Sequence, residues 1–217
     1  FIRLLFEIEV TGNPFLKAFS EHFDQLVKDI IEIIPHKETR IWKSINGKFD
    51  NIEGWNFLNP IGELSVLRKF INSGLFDLVE IEAKFSNGQT KDFELKQKSD
   101  GELKLIEVVN IHIPIGLTKH SEIIDCILDK TQKKIIKEID GATNIVEMNR
   151  LFILPVVWYL DMDILKSEYA FFNEFNKSLG KTFGMKHPTL GFCTYVKDST
   201  NNLIFGEASS IIDLNKN

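Results

Sequence analysis

Only two cysteines, Cys126 and Cys193, occur in 217 residues. That is too few for a disulfide scaffold in a chain of this length, and they read as buried thiols in a reducing, cytoplasmic setting. Long apolar runs are missing as well. The longest, Leu151 to Leu160, is interrupted by Pro155 and falls short of the roughly 18 residues that a membrane-spanning helix needs, so no membrane association is expected. Basic charge is not in excess. The 26 Lys and Arg against 31 Asp and Glu give a net charge of −5, which argues against a non-specific nucleic-acid coat, whose affinity rests on neutralising phosphates. There is no repeat, no low-complexity tract and no linker rich in Pro, Gly or Ser, and a single domain over residues 1–217 is the simplest organisation. Apolar residues, by contrast, make up 43% of the chain, with 18 Phe and 3 Trp, enough for a packed core and too many for a disordered chain. The chain begins at Phe1 rather than a methionine, which leaves a removed targeting segment open.

The first helix signal is Asn13-Pro14, a capping residue followed by a proline suited to the first turn, and the helix should run to Ile34, where Pro35 stops it. Phe15, Phe19, Phe23, Leu26, Ile30 and Ile34 fall near a 3.6-residue period and define its core stripe. A second helix is expected from Ile61 to Asn72, ended by Ser73-Gly74. Three strands follow, Leu78 to Phe85, Thr90 to Gln97 and Leu103 to Ile113, separated by Asn87-Gly88 and Asp100-Gly101, dipeptides that tolerate the positive φ of a two-residue hairpin turn. The pattern continues with a helix from Ser121 to Ile139, a buried strand from Leu151 to Trp158, a helix from Asp163 to Leu179, and strands at Gly191 to Val196 and Leu203 to Phe205.

Centring each tight turn fixes an expected register. Asp92 then faces Val109 and Glu94 faces Glu107. Strand alternation puts Asp92, Glu94 and Lys96 on one sheet face with Leu105, Glu107, Val109, Val79, Ile81, Ala83 and Phe85. That face is apolar apart from Asp92, Glu94, Lys96 and Glu107. A carboxylate among apolar neighbours loses hydration and is seldom buried unless paired or bound to a metal. Two held together also repel, which a divalent cation relieves; Mg²⁺ favours one or two carboxylates with waters and a substrate phosphate. A structural ion pair, with Lys96 against Glu94 or Glu107, accounts for the same residues, and a one-residue slip in either hairpin would turn whole strands over.

The segment Asn87-Gly88-Gln89-Thr90-Lys91-Asp92-Phe93-Glu94-Leu95, the turn Asp100-Gly101 and then Leu105-Ile106-Glu107-Val108-Val109-Asn110 resemble the core of the PD-(D/E)XK restriction-endonuclease-like superfamily, as does the order helix, three-strand meander, helix, strand. The resemblance covers about residues 61–158. It implies an α/β fold with a central mixed sheet, an antiparallel meander and flanking helices; it does not extend to the N-terminal helical and C-terminal α/β extensions, which are read from the sequence pattern alone. By the same resemblance Asp92 and Glu107 would hold Mg²⁺ or Mn²⁺, Glu63 on the preceding helix would be a third acidic ligand, and a lysine would orient the attacking water. The sequence departs from the family at two places. Lys91 stands where a proline precedes the aspartate, and Val109 stands where the lysine follows Glu107. Lys96 is the relocated lysine by strand parity, with Lys130 and Lys133 as further substitutes. Glu82-Ala83-Lys84 and Glu94-Leu95-Lys96, with Asp77 upstream, are rival readings of the motif.

Other signals lead nowhere. Gly180-Lys181-Thr182 lacks the glycine of a phosphate-binding loop, since Phe175 stands five residues before Gly180. His22, His36, His112, His120 and His187 show no ligand spacing. His112 should be a hydrogen-bonded strand residue on the face opposite Glu107. Asp161 and Asp163 suit a helix cap. Lys130, Lys133, Lys134 and Lys137 read as a solvated helix face, with phosphate contact as the alternative. No nucleophile elbow is present, and a pocket at Trp158 and Tyr159 has no motif behind it. The sequence therefore points to a divergent metal-dependent nuclease acting on nucleic acid, or to a non-catalytic module on the same scaffold that recognises protein or nucleic acid.

Overall fold

The computed structural model describes residues 10–12, 14–48, 58–84, 88–114, 116–117, 119–141, 150–158, 190–197 and 203–210. The helix expected at Asp163 to Leu179, Asp161, Tyr159, Phe85 and Gly180-Lys181-Thr182 lie outside these residues. Helix α1 spans Pro14–Ile33 and ends where Pro35 begins a short 3₁₀ turn, Pro35–Lys37, because proline cannot continue the hydrogen-bond ladder. Helix α2, Glu38–Lys48, has no counterpart in the sequence reading. Helix α3 spans Asn59–Asn72. Strands β1 (Phe76–Lys84), β2 (Thr90–Gln97) and β3 (Leu103–His112) precede helix α4 (His120–Gly141), and β4 (Leu151–Trp158), β5 (Leu190–Lys197) and β6 (Leu203–Ser210) follow.

The six strands form one mixed sheet in sequence order. β1, β2 and β3 are antiparallel, β3–β4 and β4–β5 are parallel, and β5–β6 is again antiparallel. This is the expected α/β class, a central mixed sheet containing a meander and flanked by helices. One face carries the main core: Phe19, Phe23, Leu26 and Ile30 of α1, Leu64, Leu67 and Phe70 of α3, and Ile106, Val108, Phe152, Leu154, Val156 and Trp158 from alternate positions of β3 and β4. The intervening positions, Leu105, Ile111, Ile153 and Val157, are buried too, as strands covered on both faces require. Ile123 and Ile127 bury one side of α4. Among the described residues no helix is long and apolar enough to cross a membrane.

Both hairpins depart from the expected register, with opposite consequences. At the second, Gln97 N–H donates to Glu102 O (2.8 Å) and Gly101 N–H to Gln97 O (2.9 Å), which closes a four-residue loop, 98–101, with Gly101 at φ +76°, rather than a two-residue turn. Phe93 therefore pairs with Ile106 and Glu94 with Leu105, so Glu94 does not face Glu107. The slip is by two residues and preserves parity, so Asp92 and Glu107 keep the same relation to the sheet. At the first hairpin the pairs next to the turn, from Lys84–Thr90 to Glu80–Glu94, are already one residue off the expected register, and a bulge between Leu78 and Glu80 shifts the pairing by one more. Asp77 stands opposite Lys96, Glu80 opposite Glu94, and Ile81 opposite Phe93. The expected apolar row of Val79, Ile81 and Ala83 beside the carboxylates is thus replaced by acidic side chains, and Ile81 packs against the main core.

Helix α3 lies very close to the sheet. A Cβ on Gly62 would sit 2.1 Å from Asn110 Oδ1 and 3.2 Å from Val156 Cγ1, and that same Asn110 oxygen accepts the Trp158 indole N–H at 2.8 Å. Gly62→Ala should therefore displace Asn110 and cost about 2 kcal/mol, as overpacking commonly does. In a thermal melt the midpoint should fall by roughly 4–8 °C; an unchanged midpoint would mean that the helix is not seated this tightly.

Candidate metal centre

The sheet forks where β2 leaves β3. The β2–β3 ladder runs from Lys96–Leu103 to Phe93–Ile106, and β3 continues beside β4 as far as the His112–Trp158 pair. At the fork the Asp92 side chain takes the place of a backbone acceptor: Val108 N–H donates to Asp92 Oδ2 at 2.7 Å. Asp92 thus lies in the seam between strands, approached by α2 and α3 from one side and by the α4-facing Glu107 from the other.

Glu63 projects from α3 and accepts a hydrogen bond from Lys48 Nζ, at the last position of α2. The same ammonium is 3.9 Å from Asp92 Oδ1. On the other side of the fork Lys134 of α4 pairs with Glu107 Oε1 and lies 3.1 Å from Glu138 Oε1, while Glu138 Oε2 takes Lys91. Glu107 is only 8% exposed, and its Oε2 is buried with no hydrogen-bond partner. Such an orphaned oxygen loses hydration without compensation.

The carboxylates raise one another's pKa. Burial, followed by the Glu63 charge, pushes Asp92 up to about 7 against the opposing pull of Lys48 and the Val108 N–H. Burial and the Asp92 charge raise Glu107 despite Lys134, and Glu63 is raised by burial, with Glu107 and Glu82 adding to it against Lys48. Burial works against the Lys48 and Lys134 ammonium groups, but their acidic partners outweigh it and raise both. Glu138 is the exception among the acids, since its bonds to Lys91 and Lys134 outweigh burial and lower its pKa.

Of the residues expected at the site, Asp92, Glu107 and Glu63 are within each other's electrostatic reach. Lys96 is not with them. It is exposed and stands at the hairpin end of β2, four positions or about 13 Å from Asp92 along the strand, with its Cε near Gly101. Glu94 pairs with Arg150 at 2.9 Å, so the pairing of Lys96 with Glu94 or Glu107 gives way to Arg150 and Lys134. In the rival motifs Glu82 accepts from Ser44 (2.9 Å) and Asp77 meets Lys98 at 3.4 Å, away from Glu107. Lys130 donates to His112 O (2.9 Å) and Lys133 to Asp129 (2.7 Å), so neither reaches the carboxylates. His112 bonds Asn59 Oδ1 at 2.8 Å, and burial with Lys130 lowers it to about 4. Trp158 is sealed in the core.

Two cations escaped the sequence reading. Lys134 was grouped with a solvated stripe, although Ile123, Ile127, Thr131, Lys134 and Glu138 follow helical spacing and form the inward side of α4. Lys48 follows Ile41 and Ile45 on the same side of α2, the one signal that would have turned it inward. Among the described residues no three acidic, histidine or cysteine side chains converge closely enough to ligate one ion as they stand, and the two ammonium groups lie among the carboxylates instead. The donor set is hard oxygen only, suited to Mg²⁺, Mn²⁺ or Ca²⁺ rather than zinc, and the orphaned Glu107 oxygen fits such an ion. No family model and no curated protein matches the chain. Among solved structures it is similar to SfsA of Pyrococcus furiosus in complex with Ca²⁺, at 11% identity and a TM-score of 0.28 over 69% of this chain; the match spans 62% of that protein, a likeness too distant to bear on what this chain does.

Proposed function

We propose that this protein is a divergent metal-dependent nuclease-like protein that hydrolyses phosphodiesters of nucleic acid. The observation that carries the reading is the fork at Asp92: a carboxylate fixed by Val108 N–H, with Glu63 and Glu107 beside it and one Glu107 oxygen bonded to nothing. Asp92 and Glu107 would hold Mg²⁺ or Mn²⁺, with Glu63 as a third ligand. When bound, such an ion polarises a phosphate and lowers the pKa of a coordinated water. Val108 N–H keeps Asp92 oriented, which spares reorganisation when a ligand arrives. Lys134 supplies a fixed positive charge beside Glu107 and takes the part that the resemblance gave to a lysine two residues further along the strand. Lys96 is too distant for that part.

Calorimetric titration with Mg²⁺ or Mn²⁺ tests the site, and a nicking assay on single- and double-stranded DNA and on RNA tests the reaction. Binding in the wild type that is lost in Glu107→Gln is the expected result; no binding at millimolar concentration removes the metal site and the nuclease with it. A non-catalytic module recognising protein or nucleic acid is favoured by one observation, that Glu63 and Glu107 are each already matched to an ammonium group. No metal binding at millimolar concentration would select it.

A further inference from the structure

The two ammonium groups at the fork are held unequally. Lys134 is shared between Glu107 and Glu138, and Glu138 is outside the proposed donor set, 5% exposed and fixed by Lys91 as well. Lys48 has its ion pairs with Glu63 and Asp92, both inside that set. Its side chain is 28% exposed and ends a helix whose own attachment does not depend on it: Ile41 and Ile45 are buried, and Ser44 bonds Glu82.

We propose that Lys48 is an internal cation occupying the metal site, displaced from Glu63 and Asp92 when a divalent ion binds, while Glu138 retains Lys134 beside Glu107. The proposal rests on the reading of Glu63, Asp92 and Glu107 as cation donors. A dication and an ammonium group that use the same oxygens are like charges a few ångströms apart, with little water between them to screen the repulsion. One of them has to leave. The lysine stem is flexible and strongly hydrated at its tip, and Lys48 has a short route to solvent and, among the described residues, no ion-pair partner outside the site, Glu82 acting on it only from a distance. Lys134 has one in Glu138. The arrangement offsets part of the carboxylate charge before metal arrives and makes metal affinity a difference between two cations.

Two measurements on the full chain decide it. Titrated with Mg²⁺ at pH 8, Lys48→Gln should bind the ion more tightly than the wild type, by roughly tenfold for the removal of one neighbouring like charge partly screened by solvent. In the wild type, acetylation by a water-soluble succinimidyl ester, read by peptide mass spectrometry, should modify Lys48 faster once Mg²⁺ saturates the protein and leave Lys134 unchanged. Equal or weaker affinity in a folded Lys48→Gln, or a Lys48 reactivity that Mg²⁺ does not raise, overturns the displacement. Should Lys48→Gln fail to fold, the labelling of the wild type decides alone. If neither protein binds Mg²⁺, the cation site itself is refuted and the displacement with it; if the wild type binds and Lys48 stays protected, only the displacement fails.

Discussion

Asp92→Asn is expected to raise the melting temperature at pH 8 and, in the same protein, to remove divalent-cation binding. The native chain holds the Asp92 proton up to about pH 7, whereas an unfolded chain gives it up near pH 4. Between those values the native state binds more protons, so the contribution of Asp92 to stability falls as pH rises and is lowest above 7. Glu63 and Glu107 are shifted in the same direction and steepen the loss, while Lys48 and Lys134 moderate it. Asparagine keeps an oxygen for the Val108 N–H and carries no charge, so the substitution should add about 2 kcal/mol at pH 8, or roughly 4–8 °C. At pH 5, about a third of the way from the unfolded value to the native one, it should add only about a third as much. Melting curves at the two pH values provide the check. A variant that is destabilised equally at both would show that the Asp92 carboxylate is not strained by its charge.

Lys91→Met should have the largest destabilising effect. Lys91 and Glu138 are 2% and 5% exposed and form an ion pair between β2 and α4. Removing one partner leaves a buried carboxylate undercompensated, which typically costs 3–5 kcal/mol; because Lys134 still reaches Glu138 at 3.1 Å, about 3 kcal/mol is expected, a fall of roughly 6–12 °C. The double variant Lys91→Met, Glu138→Met should recover much of that loss, since two apolar side chains need no mutual compensation. Denaturant midpoints of the two single variants and the double variant close the cycle. A double variant as unstable as the two single losses added together would show that the pair does not act as a unit.

These effects originate in positions that the chain announces unevenly. β2 at Thr90–Gln97 and β4 at Leu151–Trp158 were legible because alternation in the one and an uncharged β-branched run in the other are local patterns. Asp92 and Glu107 were legible as anomalies, charges in strands that otherwise bury apolar side chains. Their partners were not. Lys48 comes from a helix that composition did not announce, and Lys134 sits in a lysine-rich stripe where Lys133 and Lys137 are exposed while Lys130 and Lys134 turn toward the sheet. Gly88 and Gly101 take the positive φ expected of turn residues, but Asp100-Gly101 closes a four-residue loop, and dipeptide chemistry does not set loop length. The bulge after Leu78 left no mark at all.

The amino-acid order by itself determined the alternation of helices and strands, the apolar stripes and the presence of acidic residues at inward strand positions, because each depends on neighbours within one or two turns of chain. Only the tertiary structure decided which cations meet those acids, which hairpin register holds and how the Asp92 carboxylate comes to replace a ladder acceptor at the fork. Those outcomes depend on the packing of α2, α3 and α4 against the sheet. A charge buried at such a junction takes its energy from groups remote in sequence, and their approach becomes fixed only when the layers close.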